Sequence, residues 1–187
     1  MGAIYSRTVS TFFPTTESRI LIFGLDAAGK TTILYRLKEG ETIQVIPSIG
    51  FNIETLTVEN RKITVWDVPG RKPQVRALSK VYFPHITGLV YVVDSAEDYD
   101  ERINESKEEL AILLKEYELQ LETCSPPAPL LVLANKQDLP NAKTPDELAQ
   151  LLDLHSIKNR QWHIIGTSAV NGDGLVDGMS WLIKQMN

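Results

Sequence analysis

Cysteine is almost missing from this chain: Cys124 stands alone and cannot close an internal disulfide, so a reducing cytoplasm is the expected setting. Long apolar runs are missing too. No stretch approaches the ~20 consecutive apolar residues that a membrane-spanning helix needs, and no cleavable secretory leader is recognisable. Positive charge is in deficit, with 19 Lys and Arg against 24 Asp and Glu and a net charge of -5. That balance argues against the basic surface on which binding to nucleic-acid phosphate depends, so nucleic acid is not an expected partner. Repeats and low-complexity tracts are absent as well. A chain of 187 residues suits one hydrophobic core, and a single-domain monomer over residues 18–187 is expected.

What the chain does contain begins at its first residues. Met-Gly-Ala-Ile-Tyr-Ser puts Gly2 behind the initiator and Ser6 where an N-myristoylation motif wants Ser or Thr. Ile4, Tyr5, Val9, Phe12 and Phe13 gather on one face at helical spacing, while Ser6, Arg7, Thr8, Ser10 and Thr11 take the other. Residues 1–17 are therefore expected to form an amphipathic helix, limited by Pro14, that lies on a membrane with an acyl chain on Gly2. A frayed terminus, or a helix docked permanently on the core, is the plainer alternative.

Beyond Pro14, strand-like runs alternate with helical patterns. Ile20–Phe23, Ile53–Val58, Ile63–Asp67, Leu89–Asp94, Leu130–Ala134 and Trp162–Gly166 read as strands. Ile103, Leu110, Leu113, Leu114 and Tyr117 recur at helical spacing, as do Leu175, Met179, Leu182, Ile183 and Met186. Thr144-Pro145-Asp146-Glu147 carries a cap, a proline at the first helical position and a glutamate at the third. A helix is expected there, turning Leu148, Leu151 and Leu152 inward. The alternation predicts an α/β fold whose six-stranded, mostly parallel sheet has helices on both faces. One antiparallel hairpin is expected, joined by Glu59-Asn60-Arg61. Leu121–Pro129, with prolines at 126, 127 and 129, reads as a surface loop.

Gly24-Leu25-Asp26-Ala27-Ala28-Gly29-Lys30-Thr31 matches the phosphate-loop pattern, after a strand and before the helical run Ile33–Leu37. Backbone N–H groups of Gly24, Asp26, Ala27, Ala28, Gly29, Lys30, Thr31 and Thr32, with the positive end of the helix dipole, would cradle phosphates. Lys30 would neutralise β- and γ-oxygens, and the Thr31 hydroxyl would ligate magnesium. Asn135-Lys136-Gln137-Asp138 follows a strand directly and selects the base. A carboxylate such as Asp138 accepts both the N1–H and the 2-amino hydrogens of guanine, a donor pair that adenine lacks. Thr167-Ser168-Ala169 resembles the loop whose backbone N–H meets the guanine carbonyl oxygen. Asp67-Val68-Pro69-Gly70 fits the pattern in which the aspartate holds magnesium through water and the glycine N–H meets the γ-phosphate.

Together with Ile46-Pro47-Ser48-Ile49-Gly50-Phe51-Asn52, Val65-Trp66-Asp67-Val68 and Asn135-Lys136-Gln137-Asp138-Leu139-Pro140, these motifs make the chain resemble the Arf family of small GTPases over nearly its whole length. The resemblance implies a GDP/GTP switch on a cytoplasmic membrane surface, of the Golgi or another endomembrane. It also implies a Sec7-type exchange factor, an Arf-type activating protein and vesicle-trafficking effectors. Phe51, Trp66 and Tyr82 match the family's effector-contacting aromatic triad, although alternate strand positions would face a core anyway.

The departures are specific. Ser48 stands where the family has a magnesium-coordinating threonine; it keeps the hydroxyl and loses a stiffening methyl. Where the family reads Gly-Gly-Gln, this chain reads Pro69-Gly70-Arg71, then Lys72-Pro73 and one extra residue before Tyr82-Phe83. A guanidinium has only donors and cannot accept a proton from an attacking water. The catalytic set Lys30, Gly70 and Arg71 is therefore expected to hydrolyse GTP very slowly. A GTP-binding interaction module with little or no hydrolysis, because Arg71 replaces the glutamine, is the competing expectation, and an ATP-using phosphate-loop kinase or ATPase is disfavoured by Asp138.

Overall fold

The computed structural model describes residues 18–39, 52–58, 61–67, 86–120 and 127–186, and for 52–58 and 61–67 the backbone alone. The elements run β1 (Ser18–Phe23), α1 (Lys30–Glu39), β2 (Asn52–Val58), β3 (Arg61–Asp67), β4 (Gly88–Asp94) and α2 (Asp100–Gln120). They continue with β5 (Leu130–Asn135), α3 (Pro145–Leu151), a 3-10 turn (Leu154–Ser156), β6 (Trp162–Gly166) and α4 (Leu175–Gln185). All strands join one six-stranded sheet in the order β2-β3-β1-β4-β5-β6. Only β2 and β3 pair antiparallel, so the expected mixed α/β sheet is present. The hairpin is tighter than its sequence indicates: Arg61, expected in the connection, pairs with Val58 as the first residue of β3. Two-residue connections suit the right-handed twist of paired strands.

Alternation along the strands builds two apolar layers. Ile20 and Ile22 of β1 pack with Ile33 and Leu34 of α1 and with Met179 and Leu182 of α4. Leu21 and Phe23 point the other way, into a cluster with Leu110, Leu113 and Tyr117 of α2 and Leu148 of α3. Burial on both faces explains why β4 and β5 read as continuous apolar runs rather than as alternating ones. The cap of α3 forms as expected: Glu147 N donates to Thr144 Oγ1 at 3.3 Å, and Thr144 N donates to Glu147 Oε2 at 2.8 Å. Leu148 and Leu152 are buried, but Leu151 is 41% exposed and Ala149 takes its place inside. At 100° per residue Leu148, Ala149 and Leu152 share one arc, and Leu151 lies off its edge.

The expected surface loop Leu121–Pro129 ends inside the protein. Ala128 is buried, its N donates to the Tyr117 hydroxyl at 3.3 Å, and its carbonyl accepts from Arg160 Nη1 at 3.1 Å. The Arg160 guanidinium also bonds Glu118 Oε1 at 2.9 Å and lies 5.3 Å from the centre of the Tyr117 ring. This latch closes the edge of the sheet where β5 and β6 begin. The opposite edge, where the parallel strands end, is where the topology switches: the chain leaves β1 towards β3 and returns on the other side of β1 as β4. Ligands of open α/β sheets bind at such points.

Candidate nucleotide-binding site

The loop Gly24–Gly29 springs from that switch point, between the last residue of β1 and the first of α1. Gly24 has φ +143° and Gly29 φ +98°. A Cβ at Gly24 would overlap the Val92 carbonyl, and one at Gly29 would overlap the Asn135 side chain. The pattern's two fixed glycines are thus demanded by both torsion and space. Lys30 is buried and donates through Nζ to the carbonyls of Gly24 at 3.0 Å and Leu25 at 2.9 Å. The ammonium thereby sits over the loop's own backbone, at the N-terminus of α1. Thr31 and Thr32 follow in its first turn, both half-buried.

Asn135, last residue of β5, joins this loop to the far side of the site. Its side chain donates to the Ala28 carbonyl at 2.8 Å and accepts from Ala169 N at 3.0 Å. Only 1% of Asn135 is exposed, so its amide acts between loops. Lys136 has φ +69° and pairs with Asp94 at 2.5 Å. Asp138 is exposed, and its Oδ1 accepts from the Ser168 hydroxyl at 2.6 Å. That bond uses one acceptor site of a carboxylate that offers about four. The backbone N–H groups of Ser168 and Ala169 are already engaged, by the Asp173 carbonyl at 3.1 Å and by Asn135.

The structure therefore brings together Gly24, Asp26, Ala27, Ala28, Gly29, Lys30, Thr31, Thr32, Asn135, Lys136, Asp138, Ser168 and Ala169 along one edge of the sheet. Asp67 ends β3 in register with Ile22 of β1, which sets its backbone beside the strand that leads into the loop. The side chains of Trp66 and Asp67 lie outside the described residues, as do Gly2, Ser48, Phe51, Gly70, Arg71 and Tyr82 and the whole segment 1–17. The donor set fits a polyanion: a loop shaped for backbone amides, a buried ammonium and hydroxyls at a helix N-terminus, the last also suited to a hard cation.

Sequence reasoning passed over the frame around these residues. Asp94 anchors Lys136, and Asn141 Nδ2 donates to Ala96 O and Asp98 Oδ1, each at 2.9 Å. Lys143 N donates to Ser95 O at 2.7 Å. Arg102, in the first turn of α2, donates through Nη1 to Asp26 Oδ1 at 3.3 Å and through Nη2 to Asp26 O at 3.0 Å. It also pairs with Glu97 at 3.5 Å and Glu105 at 3.4 Å. Burial opposes its charge, but Asp26, Glu105 and Glu97 outweigh that and raise its pKa above the ordinary value. The position of Asp94-Ser95 at the carboxyl end of a parallel strand was the available signal; Arg102 offered none.

A phosphate loop, a guanine-reading tetrapeptide and a switch-point sheet define the small GTP-binding proteins. The model of the ADP-ribosylation factor family matches residues 5–186, and the chain belongs to that family. Among solved structures it is similar to the Arl6 (BBS3) small GTPase of Trypanosoma brucei, determined with the nucleotide analogue GppNp bound. The TM-score is 0.79 at 31% identity, covering 91% of this chain and 97% of that one. The chain is accordingly a GTP-binding switch of the GTPase class, with GTP and GDP as ligands and Mg2+ as the accompanying ion.

Proposed function

We propose that this protein is an Arf-type switch that recruits trafficking effectors to an endomembrane and hydrolyses GTP slowly. The bracket made by Asn135 carries the nucleotide part of that reading, because it holds the phosphate loop and the base-side loop at one fixed separation. Lys30 has three donors and can turn one to a β- or γ-oxygen while keeping a loop carbonyl. Thr31, Ser48 and Asp67 are the residues that would hold magnesium, which when bound supplies positive charge to the β- and γ-oxygens. Asp138, oriented by Ser168, accepts the paired donors of guanine. The Ala169 amide shares its proton between Asn135 and the base oxygen, and the aliphatic stem of Lys136 flanks the ring.

Slow hydrolysis rests on Arg71, which offers no acceptor to an attacking water, and on Pro69 and Pro73, which restrict the backbone around Gly70. Phe51, Trp66 and Tyr82 form the effector surface, a Sec7-type factor loads GTP, and an Arf-type activating protein assists its removal. Acylated Gly2 and the aromatic face of residues 1–17 bind membrane in the GTP state; one acyl chain alone anchors only marginally. Single-turnover hydrolysis tests the reading: a slow wild-type rate that rises only in part on Arg71→Gln is expected. A rate equal to that of glutamine-bearing relatives, or a further fall on Arg71→Gln, would overturn it. No turnover with or without activating protein would favour an interaction module. Flotation with liposomes should be stronger in the GTP state and be lost on Gly2→Ala.

A further inference from the structure

An acidic side chain in a loop built to hold an anion is an electrostatic contradiction, and Asp26 is the one carboxylate between Gly24 and Thr31. Its side chain is 69% exposed. Among the described residues its ion-pair partner is Arg102, whose side chain is 32% exposed and reaches it from α2, a different element. The contact has two parts. Nη1 meets the carboxylate at 3.3 Å, and Nη2 takes the Asp26 main-chain carbonyl at 3.0 Å. The second bond holds that carbonyl towards α2, just before Ala27 enters the left-handed region at φ 60°. On its other side Arg102 is braced by Glu97 and Glu105. Asp26 and Arg102 also line a small cavity of about 20 Å³, together with Leu25, Asp94, Glu97 and Ile103, room for little more than one water.

We propose that Arg102 is a positioning residue that tunes the preference of the site for GTP over GDP, by neutralising the Asp26 carboxylate in the loop that would hold the phosphates. The inference rests on the nucleotide-site reading above. Its physical content is a difference between ligands: GTP carries about one more negative charge than GDP, and a charge in the loop lies well inside the ~10 Å screening length at 0.1 M salt. An uncompensated Asp26 therefore repels the triphosphate more than the diphosphate. A brace that merely kept the loop folded would weaken both equally.

The test is a double-mutant cycle on the full chain, with affinities for GDP and for the non-hydrolysable analogue GppNp measured with magnesium. The proteins are wild type, Arg102→Gln, Arg102→Lys, Asp26→Asn and the Asp26→Asn/Arg102→Gln double variant. Loss of an exposed pair of this kind corresponds to roughly three- to fivefold. Arg102→Gln should weaken GppNp by about that factor relative to GDP. The discrimination should shrink in 0.5 M salt, as screening requires. Arg102→Lys should keep part of the preference. The double variant should return the GppNp-to-GDP ratio to that of wild type, because the repelling charge has gone. Equal weakening of both nucleotides, a ratio insensitive to salt, or a double variant no better than Arg102→Gln would each overturn the proposal. Failure of wild type to bind either nucleotide would instead overturn the site reading, and the proposal with it.

Discussion

Asn135 and Asp138 are three residues apart, yet they do different physical work. Asn135 commits both ends of its amide inside the protein, to Ala28 O and Ala169 N, whereas Asp138 turns towards solvent with one oxygen held by Ser168. Asn135→Ala would orphan a buried carbonyl and a buried N–H, each costing about 1–3 kcal/mol. Denaturant unfolding should therefore show a loss of that order, with GDP and GTP binding weakened together. Asp138→Asn should leave unfolding nearly unchanged but erode selectivity for GTP against ATP in a competition assay. The sequence motif displayed both residues without distinguishing these tasks. A linear pattern records which residue types recur at a spacing; it does not record that Asn135 ends a strand lying between two loops, one 107 residues and the other 34 residues from it in the chain. Arg102 was illegible for the same reason, since nothing near it in the sequence refers to Asp26.

Among the elements, α3 shows how far local chemistry reaches. The capping box around Thr144 was readable because all its parts lie within four residues, and it forms with Pro145 in the first turn. Thr144→Ala should lower stability by about 1 kcal/mol, seen as a shift of the denaturant midpoint without a change of slope. Glu147 adds a pH dependence: hydrogen bonds from the Thr144 backbone and then its hydroxyl pull its pKa below the ordinary value. A carboxyl depressed in the folded state stabilises above its unfolded pKa and loses that contribution as pH falls through the folded value. The stability gap between wild type and Glu147→Gln should accordingly be present at neutral pH and close on acidification below the usual carboxylate range. Leu151 and Arg61 escaped prediction because their positions are set by packing and pairing rather than by residue type. The face of α3 that meets β6 decides the first, and the register of β3 against β2 decides the second.

At the scale of the molecule, the two edges of the sheet have separate duties. The candidate nucleotide-binding residues hang from the carboxyl ends of the strands, and the Arg160 latch closes the amino ends of β5 and β6. Arg160→Ala should strip the Ala128 carbonyl and Glu118 of a charged donor, a loss of about 2 kcal/mol. For a domain of this size that lowers Tm by roughly 4–8 °C, with the ratio of GDP to GTP affinity unaltered. Calorimetry and nucleotide titration on the same sample would check both halves. The division also explains what was legible: β4 and β5 announce a doubly covered sheet through composition alone, while a latch assembled from residues 117, 118, 128 and 160 leaves no periodic trace. The carbonyls of Gly24 and Leu25 that hold the Lys30 ammonium matter here too. An ammonium held in this way has partners within its own loop, so no bare charge is stranded in the interior.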